Sequence, residues 1–304
     1  MDYDELLKRV RKEAGPRIGK GAVASYIPAL SKVSPKRFGI ALASIDGTSA
    51  RNGDADIPFS VQSISKMFTL MLAIRHVGDD LWKRVGREPS GNPFNSLVQL
   101  ESEHGVPRNP FINAGALVVA DVLLSHTVDA KQVLLDFVRA LSGNNALEFD
   151  ANVAASERTH GYRNAALANF LKAHDNLNND VDTVLDLYFH QCALAMCCTD
   201  LARAALPLVN GGFSPLIGEA VLTKLQARRV NALMMTCGLY DAAGDFAYRV
   251  GLPAKSGVGG GIVAVLPREF AVCTWSPALE PSGNSSAGVA ALEALTTILG
   301  RSVF

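Results

Sequence analysis

Apolar positions along this chain follow two rhythms. Met67, Leu70, Met71 and Ile74 recur at helical spacing directly after VQSISK (61–66), which predicts a buried helix entered through serines and a lysine. Upstream, RFGIALASIDG is apolar and β-branched with a turn signal behind it, and reads as a strand. The polar piece GTSARNGDADIP between them reads as hairpin-like, and the N-terminal segment through GAVASYIPAL as helical, then irregular. From about 75 to 225 the helical rhythm persists through INAGALVVADVLLS, AKQVLLDFVRALSG, RNAALANFLKAH, VDTVLDLYFHQCALAM and CTDLARAALPLVNGG, broken by Gly, Asn and Pro. After 245 it changes: FAYRVGLPAKSG, GGIVAVLPR and FAVCTWSP read as short strands, and SSAGVAALEALTTILG as a serine-capped helix. The pattern predicts an α/β sheet domain built from 1–74 and 225–304. An all-helical insertion, 75–224, interrupts it, and the active site is expected between the two.

Composition narrows the class. Of 304 residues, 48% are hydrophobic and 19% charged, enough for a large core. Acidic and basic residues balance at 29 each, so no net field points to nucleic acid or an anionic membrane. The opening MDYDELLKRVRKEAG carries early acids and no apolar run of the signal-peptide kind. No window resembles a membrane span. Cys192, Cys197, Cys198, Cys237 and Cys273 contain no C-x-x-C spacing, which argues against a disulfide framework or a zinc knuckle. The expectation is a reduced, cytoplasmic protein.

Ser63 and Lys66 stand at i and i+3, on one face of a helix with Ser63 in its first turn. The plain reading is a capping serine and a snorkelling lysine. The chemical one is a nucleophile and its base, which needs burial to depress the lysine pKa. The segment LPAKSGVGGGIVAV shifts the balance, because S-x-x-K followed late in the chain by K-[ST]-G marks serine enzymes of the β-lactamase and penicillin-binding class. Its glycines allow close backbone approach, and exposed N–H groups there suit an oxyanion. A dinucleotide reading of Gly259, Gly261 and Ala264 fails, since β-branched IVAV follows where a helix should open. Asn109 and Asn113, Glu157 and Asn164, Tyr188, Tyr240 and Tyr26 mark polar stretches that singly read as caps or half-buried contacts.

Taken in order, YIPAL, QSISK, PRNPFINAGA, SE…RN, Y…QC, GLYDAAG and KSGVGGGI span nearly the whole chain and resemble the serine-dependent glutaminases. The resemblance implies a β-lactamase-like fold with a mainly antiparallel sheet. It also implies hydrolysis of L-glutamine to L-glutamate and ammonia without metal or organic cofactor. Ser63 would be the nucleophile and Lys66 the base, with Tyr188 or Tyr240 moving a proton. Tyr26, Gln62, Asn113, Glu157, Asn164, Tyr188, Tyr240 and the backbone at Val258 would line the substrate site, with Lys255 in support. A homo-oligomer, dimer or tetramer, is expected with no nucleic-acid or membrane partner. Ala193 departs from the serine expected after Gln191-Cys192.

The rivals are another serine acyl-transfer enzyme on the same scaffold and a non-catalytic amino-acid sensor. A metal hydrolase has little support, because the six histidines (His76, His104, His126, His160, His174, His190) are scattered and none lies in H-E-x-x-H.

Overall fold

The computed structural model describes residues 2–91 and 95–304. Its centre is an antiparallel sheet built from β1 (Gly39–Ser44), β2 (Ser49–Gly53) and three late strands numbered below, in the order β2-β1-β10-β9-β8. Two short strands follow early, β3 (Phe59–Ser60) and β4 (Glu148–Phe149). Both pair with β5 (Leu194–Met196) in a small separate sheet, and β6 (Phe213–Ser214) with β7 (Glu219–Ala220) makes a hairpin. The late strands are β8 (Ala254–Ser256), β9 (Gly261–Leu266) and β10 (Phe270–Trp275).

The central strands are buried on both faces, and this explains their unbroken apolar runs. Ile40 and Leu42 of β1, Ile262 and Ala264 of β9, and Phe270 and Val272 of β10 enter one core. Their alternates Ala41, Ala43, Val263, Val265, Ala271, Cys273 and Trp275 enter the other. The first core is covered by α1 (Tyr3–Ala14) and by the last helix, Ser286–Leu299. The N-terminus of α1 is capped where Asp2 accepts from Glu5 N at 3.1 Å. The cover on the second face comes from the middle of the chain.

That middle is a packed set of helices: α2 (Ser65–Val77), α3 (Leu97–Ser102), α4 (Asn113–His126), α5 (Ala130–Ser142), α6 (Ala151–His160), α7 (Tyr162–Ala173) and α8 (Val181–Cys192). Helices α9 (Cys198–Ala204) and α10 (Leu206–Val209) lie against the sheet, and α11 (Lys224–Cys237) and α12 (Ala243–Arg249) lead back to β8. The last helix is then α13. Every residue of α2 from Ser65 to Ile74 and of α4 from Asn113 to Leu123 is buried. These two helices are apolar all round because they cross the interior.

One expected strand is a helix. Residues 246–249 of FAYRVGLPAKSG belong to α12, which buries Phe246 and ties Arg249 to Glu293 on α13 at 2.6 Å. Gly251, at φ +66°, turns the chain, and only Ala254–Ser256 joins the sheet.

A buried ion pair fixes the helical packing. The fully buried carboxylate of Asp121 on α4 accepts from Arg84 Nη2 at 2.6 Å and from the backbone N–H of Asn179 and Asn178 at 2.7 and 3.0 Å. Burial alone would raise its pKa. Those N–H donors and the guanidinium outweigh burial and hold the carboxyl below its usual range. Arg84→Met should therefore cost about 3 kcal/mol of stability, read by urea unfolding at neutral pH, by stranding a buried charge. A variant as stable as the parent contradicts this. Because the folded pKa is depressed, the parent's share of stability from Asp121 is present above the unfolded carboxylate pKa and lost as pH falls through the folded value.

Candidate active site

Strand β3 pairs with β5 (Phe59↔Met196, Ser60↔Ala195), and Val61 N donates to Leu194 O at 2.9 Å, so the chain enters the next turn from a fixed direction. Gln62 then adopts φ 51°, a left-handed conformation costing a non-glycine residue roughly 1–2 kcal/mol. Neighbours hold it there. Its Nε2 donates to Ser60 Oγ at 3.0 Å, Ser60 Oγ to Cys192 O at 2.8 Å, and Ser65 Oγ to Gln62 O at 2.7 Å. Ser63 therefore lies in a 3-10 turn, Gln62–Ile64, ahead of α2 and not in the helix's first turn as expected. Helix α2 has no side-chain N-cap, so Ser63 is not used as one.

The β8–β9 loop presses on this turn. A Cβ at Gly257 would lie 2.4 Å from Val61 O and 3.3 Å from Ser63 N, and one at Gly259 would lie 2.2 Å from Ser60 O. Only glycine lets the loop come this close, and the approach brings Val258 to the cleft beside Ser63. The Ser63 side chain is hydrogen-bonded to Tyr240, whose hydroxyl also lies 3.5 Å from Ser256 O. Tyr240 is itself left-handed, at φ 56°. Burial pushes its pKa up to about 12.

Lys66 is fully buried. Its Nζ donates to Asn113 Oδ1 at 2.7 Å and to Phe111 O at 3.1 Å, and Asn113 Nδ2 donates on to Asn164 Oδ1 at 2.9 Å. Burial pulls the Lys66 pKa down to about 8, with Glu157 opposing. Glu157 is pushed up to about 7 by its own burial, partly offset by a hydrogen bond from Gln62 and by the charge of Lys66. The Tyr188 phenol is held well above its ordinary range, first by burial and then by nearby acids, among them Cys192. Asn109 turns out to be structural: its Oδ1 accepts from Phe111 N and Ile112 N at 3.0 and 3.1 Å, shaping the entry to α4.

An open cleft of about 100 Å³ brings together Tyr26, Gln62, Ser63, Asn113, Glu157, Asn164, Tyr188 and Val258. Tyr240 and Lys66 do not line it but are bonded to residues that do, Tyr240 to Ser63 and Lys66 to Asn113. Tyr26 is more than half exposed and reaches the cleft from the irregular segment after α1. Ile27, Asn95, His160, Gly161, Arg163 and Cys192 also line it and were not singled out from sequence. Three of them sit in THGYRN beside Glu157, where Gly161 is forced by a Cβ 2.6 Å from both Glu157 O and the Phe189 ring. Among the described residues no group of His, Cys, Asp and Glu is arranged to hold a metal ion, and no helix is long and apolar enough to cross a membrane.

The mixed fold, with its antiparallel sheet between helices, is that of the serine-dependent, β-lactamase-like hydrolases. A sequence model of the family described as Glutaminase matches residues 21–304. The glutaminases of Ralstonia nicotianae and Paraburkholderia phytofirmans are 57% and 55% identical to this chain, each alignment covering both proteins completely. The structure described as probable glutaminase ybaS superposes with a TM-score of 0.93 at 34% identity, covering 100% of this chain and 99% of that one. Mglu in its glutamate form superposes at 0.91 and 35% identity, covering 99% and 69%. The chain belongs to the glutaminase family, and it is an enzyme of the amidohydrolase class.

The close approach of the β8–β9 loop is directly testable. Gly257→Ala should cost about 1–3 kcal/mol by overpacking and lower turnover by about tenfold or more, because the loop must retreat from Ser63. Gly244→Ala, in α12 with nothing within 4 Å of its Cβ, is the control and should leave turnover unchanged. Equal behaviour of the two variants would contradict the packing argument.

Proposed function

We propose that the chain hydrolyses L-glutamine to L-glutamate and ammonia through a γ-glutamyl ester on Ser63. What carries this reading is a buried serine, hydrogen-bonded to Tyr240, in one cleft with a buried carboxylate and an amide pair that is bonded to a lysine cut off from water. A free amino acid needs a partner for its ammonium and donors for its carboxylate. Glu157 supplies the first, and Asn113, Asn164 and the Tyr26 hydroxyl the second, with Gln62 holding Glu157 in place.

The side-chain amide then lies over Ser63. Neutral Lys66 takes the Ser63 proton as Oγ bonds to the amide carbon, and the carbonyl electrons move onto oxygen. The backbone N–H groups of Ser63 and Val258 hold that oxyanion, each such donor being worth roughly 2.7–4 kcal/mol. Collapse breaks the C–N bond, and the leaving nitrogen takes a proton from Lys66 relayed by Tyr240 or Tyr188. Water adds to the ester by the reverse relay, giving glutamate and restoring Ser63. Every proton and bond is handled by residues of the chain.

Separation into a sheet part, 1–74 with 225–304, and a helical part, 75–224, puts the cleft at the seam. The free, buried cysteines suit a cytoplasmic enzyme, and the exposed apolar Val98 and Tyr162 suit a homo-oligomer.

Ammonia release from L-glutamine, L-asparagine and D-glutamine tests the reaction. Release from L-glutamine alone, abolished in Ser63→Ala, is expected; equal turnover by Ser63→Ala rejects the nucleophile. The pH dependence separates the two buried charges. Lys66 must be neutral to act, so kcat rises as pH climbs through about 8. Glu157 must be ionised to bind the ammonium, so KM falls as pH climbs through about 7. Glu157→Gln should raise KM roughly 10- to 100-fold and erase the lower ionisation while leaving the upper one in kcat. Retention of the parent KM removes Glu157 from the ammonium site.

A further inference from the structure

Helix α6 carries Glu157 but has little apolar packing of its own. None of its residues enters the large core, and its buried apolar side chains, Val153 and Ala154, group with Ala193 in a small separate cluster. Its start is fixed by Asp150, whose Oδ1 accepts from Asn152 N and Val153 N at 2.9 and 3.1 Å and whose N–H donates to Ala193 O at 2.8 Å. Its far end is set by Gly161, where a Cβ would lie 2.6 Å from the Phe189 ring of α8. Between these ends Arg158 Nη2 donates to Asp186 Oδ1, across the packing of α6 on α8.

Asp186 is the meeting point of three helices. Its Oδ2 accepts from Lys131 Nζ of α5 at 2.8 Å, and His190 Nδ1, one turn further along α8, lies 3.4 Å from Oδ1 and 2.7 Å from the Asp186 carbonyl oxygen. Helices α5 and α8 are both seated in the large core, α5 through Leu134, Val138 and Leu141, α8 through Val184 and Leu187. Burial works against the charge on Asp186, but Lys131, His190 and Arg158 hold its carboxyl below the usual range. Two well-packed helices thus present an ionised carboxylate to the one helix that lacks a core of its own. Glu157 directly precedes Arg158, and successive helical residues point about 100° apart. One is buried and faces the cleft, while the other is more than half exposed and turns to Asp186. On α8, Tyr188 follows Asp186 by two residues and lines the same cleft.

We propose that Asp186 is a positioning residue for substrate binding: by holding Arg158 it fixes α6 against α8 and so places the Glu157 carboxylate for the substrate ammonium. The role rests on the reading above, in which Glu157 pairs with that ammonium. Neither Asp186 nor Arg158 lines the cleft, so the effect reaches the substrate through α6. Ser63, Lys66 and Tyr240 lie on other elements, so it falls on binding and not on turnover.

The test is a double-variant cycle with Asp186→Asn and Glu157→Gln, measuring kcat, KM for L-glutamine and the thermal midpoint. The ion pairs are partly exposed and individually weak, so Asp186→Asn should raise KM only about three- to tenfold, with kcat changed less than about twofold and little effect on the midpoint. Arg158→Met should behave in the same way. In the Glu157→Gln background Asp186→Asn should raise KM no further, because the carboxylate it places is gone. KM losses that multiply overturn the positioning role while leaving Glu157 at the ammonium, as does a parental KM in Asp186→Asn or in Arg158→Met. A fall in midpoint with kcat and KM changing together assigns Asp186 a purely structural role and overturns it too. Parental KM in Glu157→Gln instead rejects the ammonium site itself, and the role of Asp186 with it. If Asp186→Asn does not fold, Arg158→Met replaces it in the cycle under the same criteria, and failure of both to fold makes the role structural and overturns the proposal.

Discussion

Removal of water from Lys66 is the constraint on which the site depends. An ordinary lysine is protonated at neutral pH and accepts nothing. Helices α2, α4 and α8 close around this one, and its Nζ donates to Asn113 Oδ1 and Phe111 O. Desolvation then penalises the ammonium enough to bring the pKa to about 8, where a neutral fraction exists under physiological conditions. The same burial lifts Glu157 to about 7. One act of packing thus brings an acid and an amine within reach of each other's titration range, so that each is poised to change charge. Apolar residues all round α2 and α4 are the means by which the chain achieves it.

The sheet supplies what the helices cannot, strands paired to a neighbour on each side, as β9 and β10 are. Covered on both faces, β9 and β10 cannot shift without disturbing two cores. The loop between β8 and β9 inherits that rigidity and is pressed against the turn holding Ser63, with glycine at 257 and 259 because no Cβ fits. Strain collects where the two parts meet. Gln62 and Tyr240, both left-handed and neither a glycine, adjoin Ser63, one as its chain neighbour and the other by a hydrogen bond. Such conformations persist only where the surroundings over-determine them, and here those surroundings are the hydrogen bonds of Ser60, Ser65 and Cys192 on one side and Lys255 with Ser256 on the other.

Legibility followed the range of the interaction. The strand at RFGIALASIDG and the helices at INAGALVVADVLLS and AKQVLLDFVRALSG could be read because each writes its own period into adjacent residues. Residues 246–249 could not, since apolar spacing over so few positions fits a strand as well as a short helix, and α12 is decided by Phe246 and Arg249 meeting the rest of the fold. Asn109 and Asn113 looked alike as asparagines in one stretch. Distance in space separated them, one bonded to its own turn and the other to Lys66 and Asn164. Asn95 carried no local signal for its place on the cleft wall.

By itself the sequence determined the chemical inventory: a Ser-x-x-Lys ahead of an apolar helix, a Lys-Ser-Gly before a glycine-rich turn, and separated segments in the order of the glutaminase family. Those features are local, set by residue type and spacing. Only the tertiary structure decided that Lys66 is bonded to Asn113 and Phe111 O while Lys255 lies beneath the Tyr240 ring. It decided also that Ser63 occupies a 3-10 turn and is hydrogen-bonded to a tyrosine far along the chain. Burial and hydrogen-bond partners are properties of neighbours in space, and a lysine's pKa and a tyrosine's direction follow from those neighbours.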